Sequence, residues 1–124
     1  MSKDLQTLIR LNEWTVDERR RELGDVLGSL ESLESGLARL REELAREQHA
    51  AQSSPGEAGF LYGGYAVAVI GRRDRLNAGI VQMEAKVTEA RERLDEAYRE
   101  LKKYEVAQEN RTCPSSYKLE QVAA

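Results

Sequence analysis

The sequence predicts an all-α protein, an antiparallel two-helix coiled-coil hairpin, and three observations carry that prediction. Residues 1–54 and 56–113 contain no proline. The two prolines, Pro55 in SSPGEAG and Pro114 in TCPSS, stand in runs of turn residues, where a residue that lacks an amide hydrogen and clashes with the preceding helical turn is tolerated. Both long segments repeat apolar residues at alternating steps of three and four, which holds a seam on one face of a helix wound at 3.5 residues per turn. With 33% charged and 6% aromatic residues, and heavy use of Glu, Arg, Leu and Ala, the composition is that of long solvated helices.

The first element is a helix over residues 3–52. With Leu23 at heptad position a, the a positions are Ile9, Val16, Leu23, Leu30, Leu37 and Leu44, all aliphatic. The d positions are Leu5, Asn12, Arg19, Val26, Leu33, Leu40 and Glu47, so the unbroken stripe runs from Leu23 to Leu44. Asn12 and Arg19 leave the first turns loosely specified, and Leu5, Leu8, Ile9, Leu11 and Trp14 spread around the helix there. Gly24, Gly28 and Gly36 each cost roughly 1 kcal/mol relative to alanine and make the middle of this helix pliable. Arg19, in the mixed-sign run from Asp17 to Glu22, is placed to reach Asp95 or Glu96 across the hairpin.

A loop over residues 53–60 follows, then a helix over residues 62–111. The a positions of this helix are Ala66, Arg73, Ile80, Val87, Leu94, Leu101 and Gln108; its d positions are Tyr62, Val69, Leu76, Met83, Ala90, Ala97 and Tyr104. Charges fill much of the rest, with pairs such as Glu89 with Arg93 and Asp95 with Arg99 at i,i+4. Exposed pairs of this kind are worth about 0.3–0.5 kcal/mol each, so the seam supplies most of the stability. Two seams joined by so short a loop are hidden within one chain only by folding back antiparallel, as a rod roughly 75 Å long at about 1.5 Å per residue. With the turn centred near residue 57, Leu44 meets the level of Val69 and Ile70, Leu33 meets Ile80, Leu23 meets Ala90 and Ile9 meets Tyr104. Residues 1–112 are thus expected to form one hairpin, and 113–124, too short to pack alone, a flexible tail.

Several function classes are disfavoured. A net charge of −3 and a pI near 5.3 argue against sequence-independent nucleic-acid binding, which rests on a basic surface. The longest uncharged stretch runs only from Ala58 to Gly71, short of the roughly 20 apolar residues that span a bilayer. Asp4 and Arg10 interrupt the place where a secretory h-region would lie. One histidine and one cysteine cannot supply the ligands of a structural zinc site or an internal disulfide. His49 falls at the outer position f, Cys113 precedes a proline with no local base, and the carboxylates fall on exposed heptad positions. The stretch GGYAVAVIGRR lacks the order of a phosphate loop. The sequence therefore predicts no enzyme, no cofactor and no metal.

Two surfaces stand out as candidates for binding a partner. Phe60, Tyr62 and Tyr65 follow the loop directly and run into Ala66–Ile70 and then Arg72 and Arg73. Either Tyr62 and Val69 sit in the seam while the others cap the tip, or the tip is adhesive, since aromatics and arginine are the usual anchors of interface hot spots. Five consecutive apolar residues cannot all face one partner helix, and Gly63 and Gly64 permit a change of direction. At the open ends, Leu8, Leu11 and Trp14 have no third helix to cover them.

The stretch GFLYGGYAVAVIGRRDRL at residues 59–76, an F-x-Y-G-x-Y segment leading into an arginine pair, resembles the FliJ family of flagellar export proteins. Residues 90–105, ARERLDEAYRELKKYE, are similar to that family's second helix, and residues 5–23, LQTLIRLNEWTVDERRREL, to its first; the resemblance covers residues 3–111. It implies a cytoplasmic antiparallel coiled coil of the flagellar type III export apparatus, similar to the central stalk subunit of rotary ATPases and peripherally associated with the inner face of the cell membrane at the flagellar base. The partners it implies are the hexameric export ATPase, the cytoplasmic domain of the export gate protein and export chaperones. On that resemblance Phe60, Tyr62, Tyr65, Ile70, Arg72 and Arg73 at the tip are gate-facing candidates. Leu8, Leu11, Trp14, Lys102, Lys103 and Tyr104 at the open ends are ATPase-facing candidates. The residues leave open a different class of protein: a homodimeric structural coiled coil, a scaffold or tether with no ATPase partner.

Overall fold

A computed structural model describes the backbone of residues 2–53 and 56–112 and the side chains of residues 4–53, 56 and 62–111. Two helices account for them, α1 (Ser2–Ser53) and α2 (Glu57–Thr112). They pack antiparallel: Arg20 near the start of α1 meets Tyr98 late in α2, and Glu43 late in α1 meets Arg72 early in α2. The hairpin predicted from the two stripes is therefore the observed fold.

The second helix starts at Glu57, so residues 57–60, read from the sequence as loop, are helical. Glu57 and Ala58 are good helix formers, and the run continues through Gly63 and Gly64. Among the described residues no glycine takes a positive φ, so the change of direction those two glycines permit is not taken. The predicted tail 113–124, with Cys113 and Pro114, lies outside the described residues, as does Pro55.

The chain divides into two compact units. The first pairs Met1–Gly24 with Glu89–Ala124. Its buried residues are Leu5, Ile9 and Val16 on α1 and Ala90 and Ala97 on α2. The polar d residues are satisfied on their own helix: Asn12 Nδ2 donates to the Leu8 carbonyl at 2.7 Å, and Arg19 Nη1 donates to the Glu22 carboxylate at 2.8 Å. Arg19 thus does not reach Asp95 or Glu96, because an acid one turn along α1 offers a shorter path. Its neighbour Arg20 crosses instead. Its Nε and Nη2 both donate to the Tyr98 hydroxyl, the first at 2.8 Å, with the guanidinium 5.4 Å from the ring centroid. The expected Glu89–Arg93 pair forms at 2.8 Å. Arg99 instead donates to the backbone carbonyl of Asp95, at 3.4 Å.

The second unit spans Asp25–Thr88. Its buried residues are Leu37, Leu40, Val69 and Val87, with Leu40 at 2% exposure. Leu33 packs beside Gly79, and Leu76 beside Gly36. Gly79 adjoins Ile80, the residue expected at the level of Leu33, so these contacts fit the expected register. In each unit every buried residue stands at a predicted a or d position. Arg73 and Glu47, the polar residues at a and d in the second unit, are exposed.

Candidate functional site

Near the turn, the side chains of the sequence-predicted tip set are divided between two flanks of the hairpin. Tyr65 and Arg72 occupy g positions, beside Glu43 of α1. Tyr62 is half-buried at d, its ring centroid 6.4 Å from that of Tyr65. Arg72 approaches the Glu43 carboxylate at 3.9 Å. The Tyr65 hydroxyl oxygen is shut from water and has no hydrogen-bond partner among the described residues. Burial pushes the phenol's pKa up, the charges of Glu43 and Glu47 add to this, and Arg72 opposes it. Ile70, 47% exposed, stands on the other flank with Val67. Arg73 pairs with the adjacent Asp74 at 3.5 Å. The side chain of Phe60 lies outside the described residues.

In the other unit, Leu11 and Trp14 are 57% and 60% exposed and Leu8 is exposed beside them. They stand at c, f and g, on the outer arc of α1, so the seam leaves them uncovered. Lys103 is exposed at c, with its Nζ 6.0 Å from the ring centroid of Tyr104. Tyr104 is half-buried at d and belongs to the seam. Lys102 stands at b and lines a shallow concavity with Glu105, Gln108 and Glu109, on the flank opposite to Lys103. The predicted open-end set thus separates into an apolar arc, one lysine flanking it, a seam tyrosine and a lysine facing away.

One feature of the second unit escaped the sequence reading. A groove of about 430 Å³ is lined by Leu33 and Gly36 of α1 and by Arg72, Arg75 and Leu76 of α2. Its signal was present in the heptad: Gly36 and Gly79 both fall at g, the position that normally covers the side of the seam.

No cluster of three or more His, Cys, Asp and Glu able to hold a metal ion occurs among the described residues. Among them, too, no helix is long and apolar enough to cross a membrane. Compared with known protein families, residues 1–112 match the family model described as flagellar FliJ protein. The chain belongs to the FliJ family. No curated protein and no solved structure matches it. Membership in FliJ makes this a flagellar, export-related protein, of a family not known for enzymes.

Proposed function

We propose that this FliJ-family hairpin is a stalk-like cytoplasmic component of the flagellar type III export apparatus, peripherally associated with the inner face of the cell membrane at the flagellar base. It binds the hexameric export ATPase and the cytoplasmic domain of the export gate protein, and it assists export chaperones. The observation that carries this reading is the family match over residues 1–112, to which the structure adds large apolar side chains left uncovered in each unit. Leu8, Leu11 and Trp14, with Lys102, Lys103 and Tyr104, contact the ATPase; Phe60, Tyr62, Tyr65, Ile70, Arg72 and Arg73 contact the gate. Trp14 and Tyr62 are the anchors, because large amphipathic rings give much contact area at low entropic cost. Such a protein acts by differential contact: for the ATPase cycle to be transmitted, ring states must differ in how they touch the hairpin.

Pull-down of the export ATPase and of the gate domain tests the assignment. The double variant Leu11→Ser with Trp14→Ser is expected to lose the ATPase and keep the gate. Tyr62→Ala with Tyr65→Ala is expected to do the reverse, each variant retaining wild-type helicity by circular dichroism. Retention of both partners by both variants would overturn it.

A further inference from the structure

In the second unit the g positions that should cover the seam carry no side chain at Gly36 and Gly79. A Cβ at Gly36 would lie 3.6 Å from Leu76 Cδ2, and one at Gly79 would lie 3.3 Å from Leu33 Cδ1. Each leucine of the floor is therefore reached from the side across a glycine of the opposite helix. The result is the groove lined by Leu33, Gly36, Arg72, Arg75 and Leu76, with an apolar floor and a rim of two guanidinium groups one helical turn apart.

The charge around this groove is predominantly positive. On the c and g positions of its flank in the second unit stand Arg39, Arg46, Arg72, Arg75 and Lys86 against Asp25 and Glu43, in a chain whose net charge is −3. The e and b positions of the opposite flank carry Glu31, Glu34, Asp74 and Glu84 against Arg41. Arg75 makes no ion pair or hydrogen bond among the described residues; its Nη1 lies over Gly71, 3.5 Å from where a Cβ would stand. Arg72 has only the 3.9 Å approach to Glu43. Two arginines one turn apart and scarcely engaged, above two half-covered leucines, match an apolar side chain flanked by carboxylates.

The geometry points to a docking site for an acidic amphipathic helix of a partner protein. One leucine-sized side chain of that helix enters between Gly36 and Gly79 onto Leu33 and Leu76. Its carboxylates, one turn away on either side, engage Arg72 and Arg75. The glycines admit the partner backbone to the flank of the hairpin, and the cationic rim sets which sequences are accepted. The site shares Arg72 with the gate-facing set but stands on Gly36, Gly79 and Arg75, which belong to neither assignment.

Fluorescence anisotropy with the full chain and a labelled acidic amphipathic peptide, leucines on one face and glutamates on the other, tests it. Binding is expected, weakening as salt rises. Gly36→Leu, which fills the groove, and Arg72→Gln with Arg75→Gln, which removes the rim charge, are each expected to weaken it by about tenfold or more. A peptide with lysine in place of glutamate should not bind. Circular dichroism and thermal melting show that the variants remain folded, and Gly36→Ala, which leaves the groove mostly open, should bind as wild type does. Absence of binding by the wild-type chain, equal binding of the lysine peptide, or binding unaffected by Gly36→Leu overturns the proposal. A dimer in light scattering that Gly36→Leu dissociates also overturns it, by giving the groove to a second copy of the chain.

Discussion

The unit around Leu37 and Leu40 and the unit around Ile9 and Val16 use the same heptad positions with different chemistry. In the first, large aliphatic side chains reach the seam from both helices. In the second, α2 contributes the small side chains Ala90 and Ala97, and α1 places Asn12 and Arg19 among the d residues. Those two polar groups are satisfied on α1 itself, by the Leu8 carbonyl and by Glu22, so they leave no orphaned donor and add no grip across the pair. The bond from Arg20 to Tyr98 supplies a short polar link there, where the Leu37 unit has, among the described residues, only the 3.9 Å approach of Arg72 to Glu43. A regular heptad can thus hold one stretch with buried aliphatic side chains from both helices and another with smaller buried side chains on α2.

Truncation in the two seams should break that comparison most sharply. Leu40→Ala is expected to cost about 2–3 kcal/mol in urea unfolding, the lower part of the range for a buried leucine because only one helix covers it. Val16→Ala should cost nearer about 1.5 kcal/mol, since less apolar surface is lost. Equal costs would erase the distinction between the units.

Glycine replacement sharpens it on a smaller scale. Gly24, in the Ile9 unit, and Gly28, in the Leu37 unit, have open space where a Cβ would go. Gly24→Ala and Gly28→Ala should each raise stability by about 1 kcal/mol, read as a higher melting temperature. A rise at one position only would show that the helix is held differently in the two units.

The smallest expected effect is at Tyr65, whose pKa is raised first by burial and then by the charge of Glu43. Below about pH 10 the phenol is neutral in folded and unfolded chains alike, so the shift costs nothing. As pH climbs past that value the unfolded chain ionises first, and stability falls until the folded pKa is passed. Tyr65→Phe should therefore flatten part of the alkaline loss of melting temperature and leave the neutral value unchanged or higher. An alkaline slope identical to wild type would remove Tyr65 as its source.

The hairpin, its antiparallel sense and its seam were legible in the sequence because burial between two helices depends on periodicity, and the stripes at Leu23–Leu44 and Val69–Tyr104 kept theirs. The start of α2 was not, because Pro55, Gly56 and Gly59 read as loop while Glu57 and Ala58 between them already favour helix. The reach of Arg19 was misjudged for a related reason: a heptad letter fixes where a Cβ points, and a long side chain then takes the nearest acid, here Glu22. The exposure of Leu11 and Trp14 followed from their outer positions. The splitting of Ile70 from Tyr65 and Arg72 could have been read from their e and g positions. The groove beside Leu33 required aligning the two helices, since neither Gly36 nor Gly79 marks it alone.

The central claim is that one chain zips its own two stripes together. Spin labels at Arg10 and Lys102, both b positions at one level of the Ile9 unit, with Cys113→Ser, test it most directly. The account predicts a single short distance, set by helix axes about 10 Å apart and lengthened only by the label arms, that persists when labelled protein is diluted into an excess of unlabelled protein. A distance that vanishes on dilution, or one approaching the full length of a helix, would contradict it.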